Sequence, residues 1–131
     1  MDIVATHAAR HPDKAAIVDG EHTLSWRALL ERRNRLAQAL GALGLRVGQH
    51  VALHAHNSVD YLVASAASRV AGAVPVPVNH RLTADEVTYI LNDAEISLVF
   101  VSEAFMPVAE RVRLSTPSVR HWIAIGATRP A

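Results

Sequence analysis

Short runs of β-branched residues alternate with longer segments of helical periodicity along the whole chain. A strand that must reach the next strand through a helix pairs with it in parallel, so the alternation points to β-α units around one sheet. Asp2 to Arg10 reads as a short helix, stopped near His11-Pro12 because a residue before proline avoids the α region. Ala15 to Asp19 and His22 to Leu24, joined by Gly20-Glu21, read as a hairpin at a sheet edge. Ser25 is placed to cap the next helix, in which Trp26, Leu29, Leu30, Leu36, Leu40 and Leu43 recur on one face. Arg27, Glu31, Arg32 and Arg35 fall mostly on the other face, and Glu31 is one turn from Arg35. Glu31-Arg32-Arg33 reads as a solvated surface, and Gly44 as a left-handed helix end.

The second half repeats the unit. His50 to His54 is a buried strand, and Asn57 with Asp60 resembles a capping box opening a small, alanine-rich helix from Val59 to Ala71. Gly72 ends that helix. Ala73 to Val78 is a strand whose Pro75 and Pro77 each lack a ladder donor, which suits either an edge position or an irregular strand. Thr83 and Glu86 form a capping box before a helix from Ala84 to Asp93. A strand at Ser97 to Val101, a long helix from Phe105 to Leu114 and a strand at His121 to Ile125 complete the order. The expected fold is α/β: an open, mostly parallel sheet with helices on both faces, five or six strands and four or five helices. Residues 1–131 form one domain in this reading.

Composition narrows the function classes. Half of the residues are hydrophobic, enough to bury a core. Thirteen basic residues against twelve acidic ones give no polyanion-binding balance, which argues against a nucleic-acid partner. The absence of cysteine excludes disulfides and thiolate metal sites. The longest charge-free span, Val47 to Val59, is 13 residues, whereas a membrane helix needs about 20 apolar residues. Met1-Asp2-Ile3 does not begin a secretory signal, so the expected compartment is the cytoplasm.

Familiar catalytic signatures are missing: there is no Walker loop, no GxGxxG and no GxSxG. Gly41, Gly44 and Gly48 follow a helix rather than a strand, so they read as cap and turn residues. His54 and His56 share a strand face, and His7 and His11 lie one helical turn apart, but neither pair has an evident third ligand. Ser25, Ser58, Ser65 and Ser102 have no recognisable base partner. Ligands in open parallel sheets bind beyond the carboxyl ends of the strands. Those ends are His56-Asn57-Ser58, Asn79-His80-Arg81 and Ser102-Glu103. Asn79 and Arg81 are the candidate substrate-binding residues. Arg81 suits a carboxylate or phosphate, or alternatively an ion pair with Asp85 or Glu86.

Taken in order, the segments resemble the adenylate-forming (AMP-binding) superfamily. Leu24-Ser25-Trp26-Arg27-Ala28-Leu29 is similar to its first core motif, and Arg33 to Leu40 with Gly44 to the helix that follows. Val47 to Leu53 resembles the usual strand entry, and His56-Asn57-Ser58 the usual Pro-Asn-Ser. Ala71 to Asn79, Arg81 to Val87 and Ile90 to Ala94 resemble the second core motif and its continuation. The match runs from about Ala5 to Ser102. Gln49, His56 and Ala28 depart from the common Asp, Pro and Glu. Asn79-His80-Arg81-Leu82 is closer to acyl-CoA synthetases than to peptide-synthetase adenylation domains.

The resemblance implies the first subdomain of a much longer fatty-acid or other acyl-CoA ligase, which would use ATP, Mg²⁺ and CoA. The family's phosphate loop, adenine and ribose contacts and catalytic lysine have no counterpart here. This chain would therefore contribute scaffold, with no catalytic, cofactor-binding or metal-binding residue of its own. Its partners would be the remaining subdomains, with the parent cytoplasmic or peripheral to a membrane. The alternative is a stand-alone binding domain from a truncated synthetase gene, self-associating through an uncovered apolar face.

Overall fold

The computed structural model describes residues 1–126. The chain opens with α1 (Ile3–Arg10), a hairpin of β1 (Ala15–Asp19) and β2 (His22–Ser25), and α2 (Trp26–Ala42). Then come β3 (His50–His54), α3 (Val59–Val70), β4 (Val74–Pro77), α4 (Ala84–Asp93), β5 (Ile96–Ser102), α5 (Met106–Val112) and β6 (His121–Ile125). The main sheet has four strands in the order β4-β3-β5-β6, and all three pairings are parallel.

Alternation along the central strands sends side chains to two cores. Val51, Leu53, Leu98 and Phe100 pack with Leu40 of α2 and with Ala64 and Ala67 of α3. Ala52, Val99 and Val101 pack on the opposite side with Val87 and Leu91 of α4 and Val112 of α5. Helices thus cover both faces, as the sequence pattern predicts. Ile96 joins the α4 and α5 side although Leu98, two residues on, faces α2 and α3. The register slips between the His50 and Val51 pairings, leaving Ser97 as the extra residue that resets the alternation.

Edge position explains the prolines of β4. Val74 and Val78 donate their amides to Gln49 and Leu53, whereas Pro75 and Pro77 take the alternate positions, whose donors would face outward. Small side chains let α3 approach the sheet: Ala64 and Ala67 are fully buried. Gly72 carries φ +84°, and a Cβ there would lie 2.8 Å from Val47 Cγ2, so this turn requires glycine.

Five expectations change. The β1-β2 hairpin forms its own two-stranded sheet and does not extend an edge of the main one. The Trp26 and Arg27 amides donate to the Lys14 and Pro12 carbonyls, folding the hairpin back at the start of α2. The long helix expected from Phe105 to Leu114 is shorter, with single 3₁₀ turns at Glu103–Phe105 and Arg113–Ser115 flanking α5. Ser58, not Asn57, caps α3, its hydroxyl accepting the Tyr61 amide. Glu31 and Arg35 are not among the ion pairs of the described residues. Arg33, expected on a solvated face, is buried: its guanidinium lies across both carboxylate oxygens of Asp2 at 2.7 and 2.9 Å. Asp2 also caps α1 through the Ala5 amide, so α1 and α2 share one anchor. The Arg33 fork is the first reason that the Asp2 carboxyl is held at about 2, well below its ordinary value, and the Ala5 amide is the second.

Candidate functional site

The parallel register brings the ends of β3, β4 and β5 together, and the segments leaving them place three imidazoles around one phenyl ring. His54 ends β3 and stacks on Phe105, with centroids 4.4 Å apart and ring planes 15° from parallel. His56 lies 4.8 Å from the same ring, and His80, beyond β4, lies 6.3 Å from it. His56 and His80 are 5.2 Å apart. Phe105 ends the 3₁₀ turn that follows β5 and is itself buried. Of the three imidazoles only His54 lies face to face with that ring; His56 and His80 approach it tilted by 48° and 36° and stay exposed.

His54 is buried, and its Nε2 has no hydrogen-bond partner. Ser102 Oγ, at the end of the neighbouring strand, is also buried and unpartnered. Burial depresses the His54 basicity below the ordinary histidine value, and the nearby His80 depresses it further. The site thus holds a neutral imidazole with one free ring nitrogen, able to accept or donate a single hydrogen bond according to its tautomer.

The candidates read from sequence fall at the rim of this cluster. Asn79 and Arg81 are exposed, and the Arg81 amide donates to Asn79 Oδ1 at 2.9 Å, which folds the chain into a local turn. The ion pair considered for Arg81 does not form. Glu86 spends its carboxylate on the Thr83 amide in the capping box, and neither Asp85 nor Glu86 is among the salt-bridge partners of the described residues. Among the described residues the Arg81 guanidinium therefore has no ion-pair partner.

Four of the other candidates have structural employment. Ser25 and Ser58 cap helices. His7 stacks on Trp26 at 4.7 Å, and the His11 amide closes α1 on the His7 carbonyl. Among the described residues no three His, Cys, Asp or Glu side chains are grouped as a metal site. Sequence reasoning missed Phe105 as the hub of the tips. The available signal was that histidines end or follow two neighbouring strands, beside one of only two phenylalanines in the chain.

An open parallel α/β sheet with helices on both faces and polar strand tips defines a broad class of ligand-handling folds. The comparisons with known proteins place the chain within it. Residues 4–128 match the sequence pattern of the family described as AMP-binding enzyme, and the chain belongs to that family. It is 35% identical over 113 residues to the 4-hydroxybenzoate--CoA/benzoate--CoA ligase of Rhodopseudomonas palustris, a match covering 86% of this chain and 21% of that protein. It is 38% identical over 111 residues to the fatty acid--[acyl-carrier-protein] ligase ScoC of Streptomyces coeruleorubidus, covering 85% of this chain and 21% of that one. Among solved structures, the anthranilate CoA ligase AuaEII in complex with anthranoyl-AMP superposes with a TM-score of 0.91 at 27% identity, covering 95% of this chain and 24% of that one. The chain thus spans about a fifth of the length of the curated relatives it matches.

Proposed function

We propose that these 131 residues are the first subdomain, a single folding domain, of a longer acyl-CoA ligase, and that they act as scaffold with no ligase activity alone. The parent would activate a carboxylate with ATP and Mg²⁺ to an acyl-adenylate and transfer the acyl group to CoA. The family match over residues 4–128, confined to a fifth of each relative, carries the reading. The sequence supports the scaffold assignment because it holds no phosphate-cradling glycine loop and no Lys-Gly pair. ATP would supply the adenylyl group to the carboxylate, held in this reading by parts of the parent beyond these residues.

What this chain's own residues contribute is a rigid platform. The two cores fix β3 and β5, and these fix the strand tips where Asn79 and Arg81 stand. Arg81 is free to receive a carboxylate or phosphate there, and Asn79 orients it through the turn. The acyl acceptor follows the Asn79-His80-Arg81-Leu82 form, which favours CoA, although one relative is described as a ligase to acyl carrier protein. A cytoplasmic location, peripheral to a membrane where the acyl chain is long, belongs to the same proposal. No helix among the described residues is long and apolar enough to cross a membrane.

The purified 131-residue chain, given ATP, Mg²⁺, CoA and benzoate or octanoate, should form no acyl-AMP and no thioester by liquid chromatography. Acyl-adenylate formation by this chain would overturn the scaffold assignment. One observation keeps a second reading open: β6 is an outer strand whose Trp122, Ile123 and Ile125 are only partly buried. A truncated, non-catalytic domain would cover that edge with a second copy, so sedimentation would give a dimer. The scaffold reading gives a monomer that binds the separately expressed remainder of the ligase.

A further inference from the structure

The end of the sheet opposite the strand tips carries a cavity of about 310 Å³. It lies between the loop that leaves α2, from Leu43 to Arg46, and the beginnings of β5 and β6 at Ser97 and His121. Arg46, Arg120 and His121 line it, together with Gln49 and Ser97, and its lining includes no Asp or Glu. The backbone under both arginines is fixed. The Arg46 amide donates to Gln49 Oε1 at 2.8 Å, and the Arg120 amide donates to the Ser97 carbonyl at 2.8 Å. The ion pairs among the described residues use Arg27, Arg32, Arg33 and Arg113, so no carboxylate of the described residues pairs with either cavity arginine.

We propose that this cavity is a binding site for a small, multiply charged oxyanion of the phosphate class. Two guanidinium forks and an imidazole at the mouth of one concave surface match the planar, multidentate recognition that phosphate oxygens favour. The Gln49 and Ser97 side chains add neutral hydrogen-bonding groups. The structural alternative assigns Arg46 to the negative C-terminal end of α2. That end is already closed, since the Ala39, Leu40 and Gly41 carbonyls accept from Leu43, Leu45 and Gly44, and it gives no reason for Arg120 and His121 to line the same cavity. The site is remote from Arg81, so it stands or falls independently of the ligase reading.

Calorimetric titration of the 131-residue chain with sodium pyrophosphate, with the His121 imidazole followed by NMR, tests it. Saturable one-to-one binding with a shift of the His121 ring is expected. R46Q/R120Q should weaken binding at least tenfold, R46K/R120K, which keeps the charge without the forks, should weaken it less, and R35Q, on the exposed face of α2, should leave it unchanged. Shifts that never saturate, a dissociation constant unaffected by R46Q/R120Q, or loss of binding in R35Q would each overturn the proposal. If R46Q/R120Q failed to fold, the saturation of the His121 shift in the unaltered chain would still decide.

Discussion

Removing the carboxylate of Asp2 should harm this protein more than removing the charge it neutralises. Arg33 has a side chain only 6% exposed, while that of Asp2 is 47% exposed. Asp2→Ala strands a buried guanidinium with only Asn34 Oδ1 beside it, at 3.1 Å, and removes the α1 cap as well. Stranding one partner of a fully buried pair costs about 3–5 kcal/mol. With one partner half in water the loss is about 2 kcal/mol, and the missing cap adds about 1 kcal/mol. The total is about 3 kcal/mol. Asp2→Asn keeps an acceptor for the Ala5 amide and should cost about half as much. Arg33→Met keeps the packed stem and leaves Asp2 to be hydrated, so it should cost about 1 kcal/mol or less.

The same pair sets an acid limb. A carboxyl held at about 2 when folded and at the ordinary 3.8 when unfolded contributes stability that is present above 3.8 and lost as pH falls toward 2. Solvent screening at a half-exposed group reduces that contribution to about 1 kcal/mol. Urea denaturation of D2A, D2N, R33M and D2A/R33M as a double-mutant cycle measures every term. An R33M variant as unstable as D2A, or a D2A cost below about 0.5 kcal/mol, would refute the asymmetry.

Three further outcomes follow from other positions. His54 is neutral and buried, so its contribution to stability is complete above the unfolded value of 6.5 and is lost as pH falls below it. Thermal midpoints at pH 7.5 and 5.0 should therefore converge in His54→Phe relative to the unaltered chain, and an undiminished acid loss in that variant would exclude His54 as its source. Gly72→Ala should cost about 2 kcal/mol, because positive φ and the Val47 methyl oppose a Cβ together, whereas Gly44→Ala, with nothing within 4 Å, should cost about 1 kcal/mol from φ alone. Equal losses in chemical denaturation would remove the role given to Val47. Ser58→Ala should cost about 1 kcal/mol and Asn57→Ala close to nothing, the reverse ranking restoring Asn57 as the α3 cap.

What was legible in the sequence and what was not divide along the range of the forces involved. Caps, turns and periodic faces are local, and a window of a few residues contains the whole physics. Thr83 with Glu86, the left-handed Gly44 and Gly72, and the edge prolines of β4 all stand where that reasoning puts them. The Asn57 reading failed within the same local logic: two adjacent residues can both cap, and the backbone entering α3 selects Ser58. Arg33 failed for a different reason. Its burial depends on a carboxylate 31 residues away, and helical periodicity alone assigns a charged residue beside Glu31 and Arg32 to water. The hairpin failed because strand propensity says that two segments pair with each other, but not that they join a larger sheet.

The strand tips mark the point where local and long-range reasoning meet. Parallel topology predicts that the ends of β3, β4 and β5 converge, and it is that alone which makes Asn79 and Arg81 candidates. Topology does not say which side chains turn inward. Phe105 lies on the first turn after β5, and His54 turns inward to stack on it, while His56 and His80 lean on the same ring from the exposed side. That stacking buries His54 far enough to keep it neutral and leaves Arg81 as a cation outside the aromatic cluster. The tips therefore set a cluster of rings around Phe105 beside an exposed guanidinium. The proposed scaffold role calls for both, a ring surface for packing and a free guanidinium for an anionic group, and they stand side by side at the same strand tips.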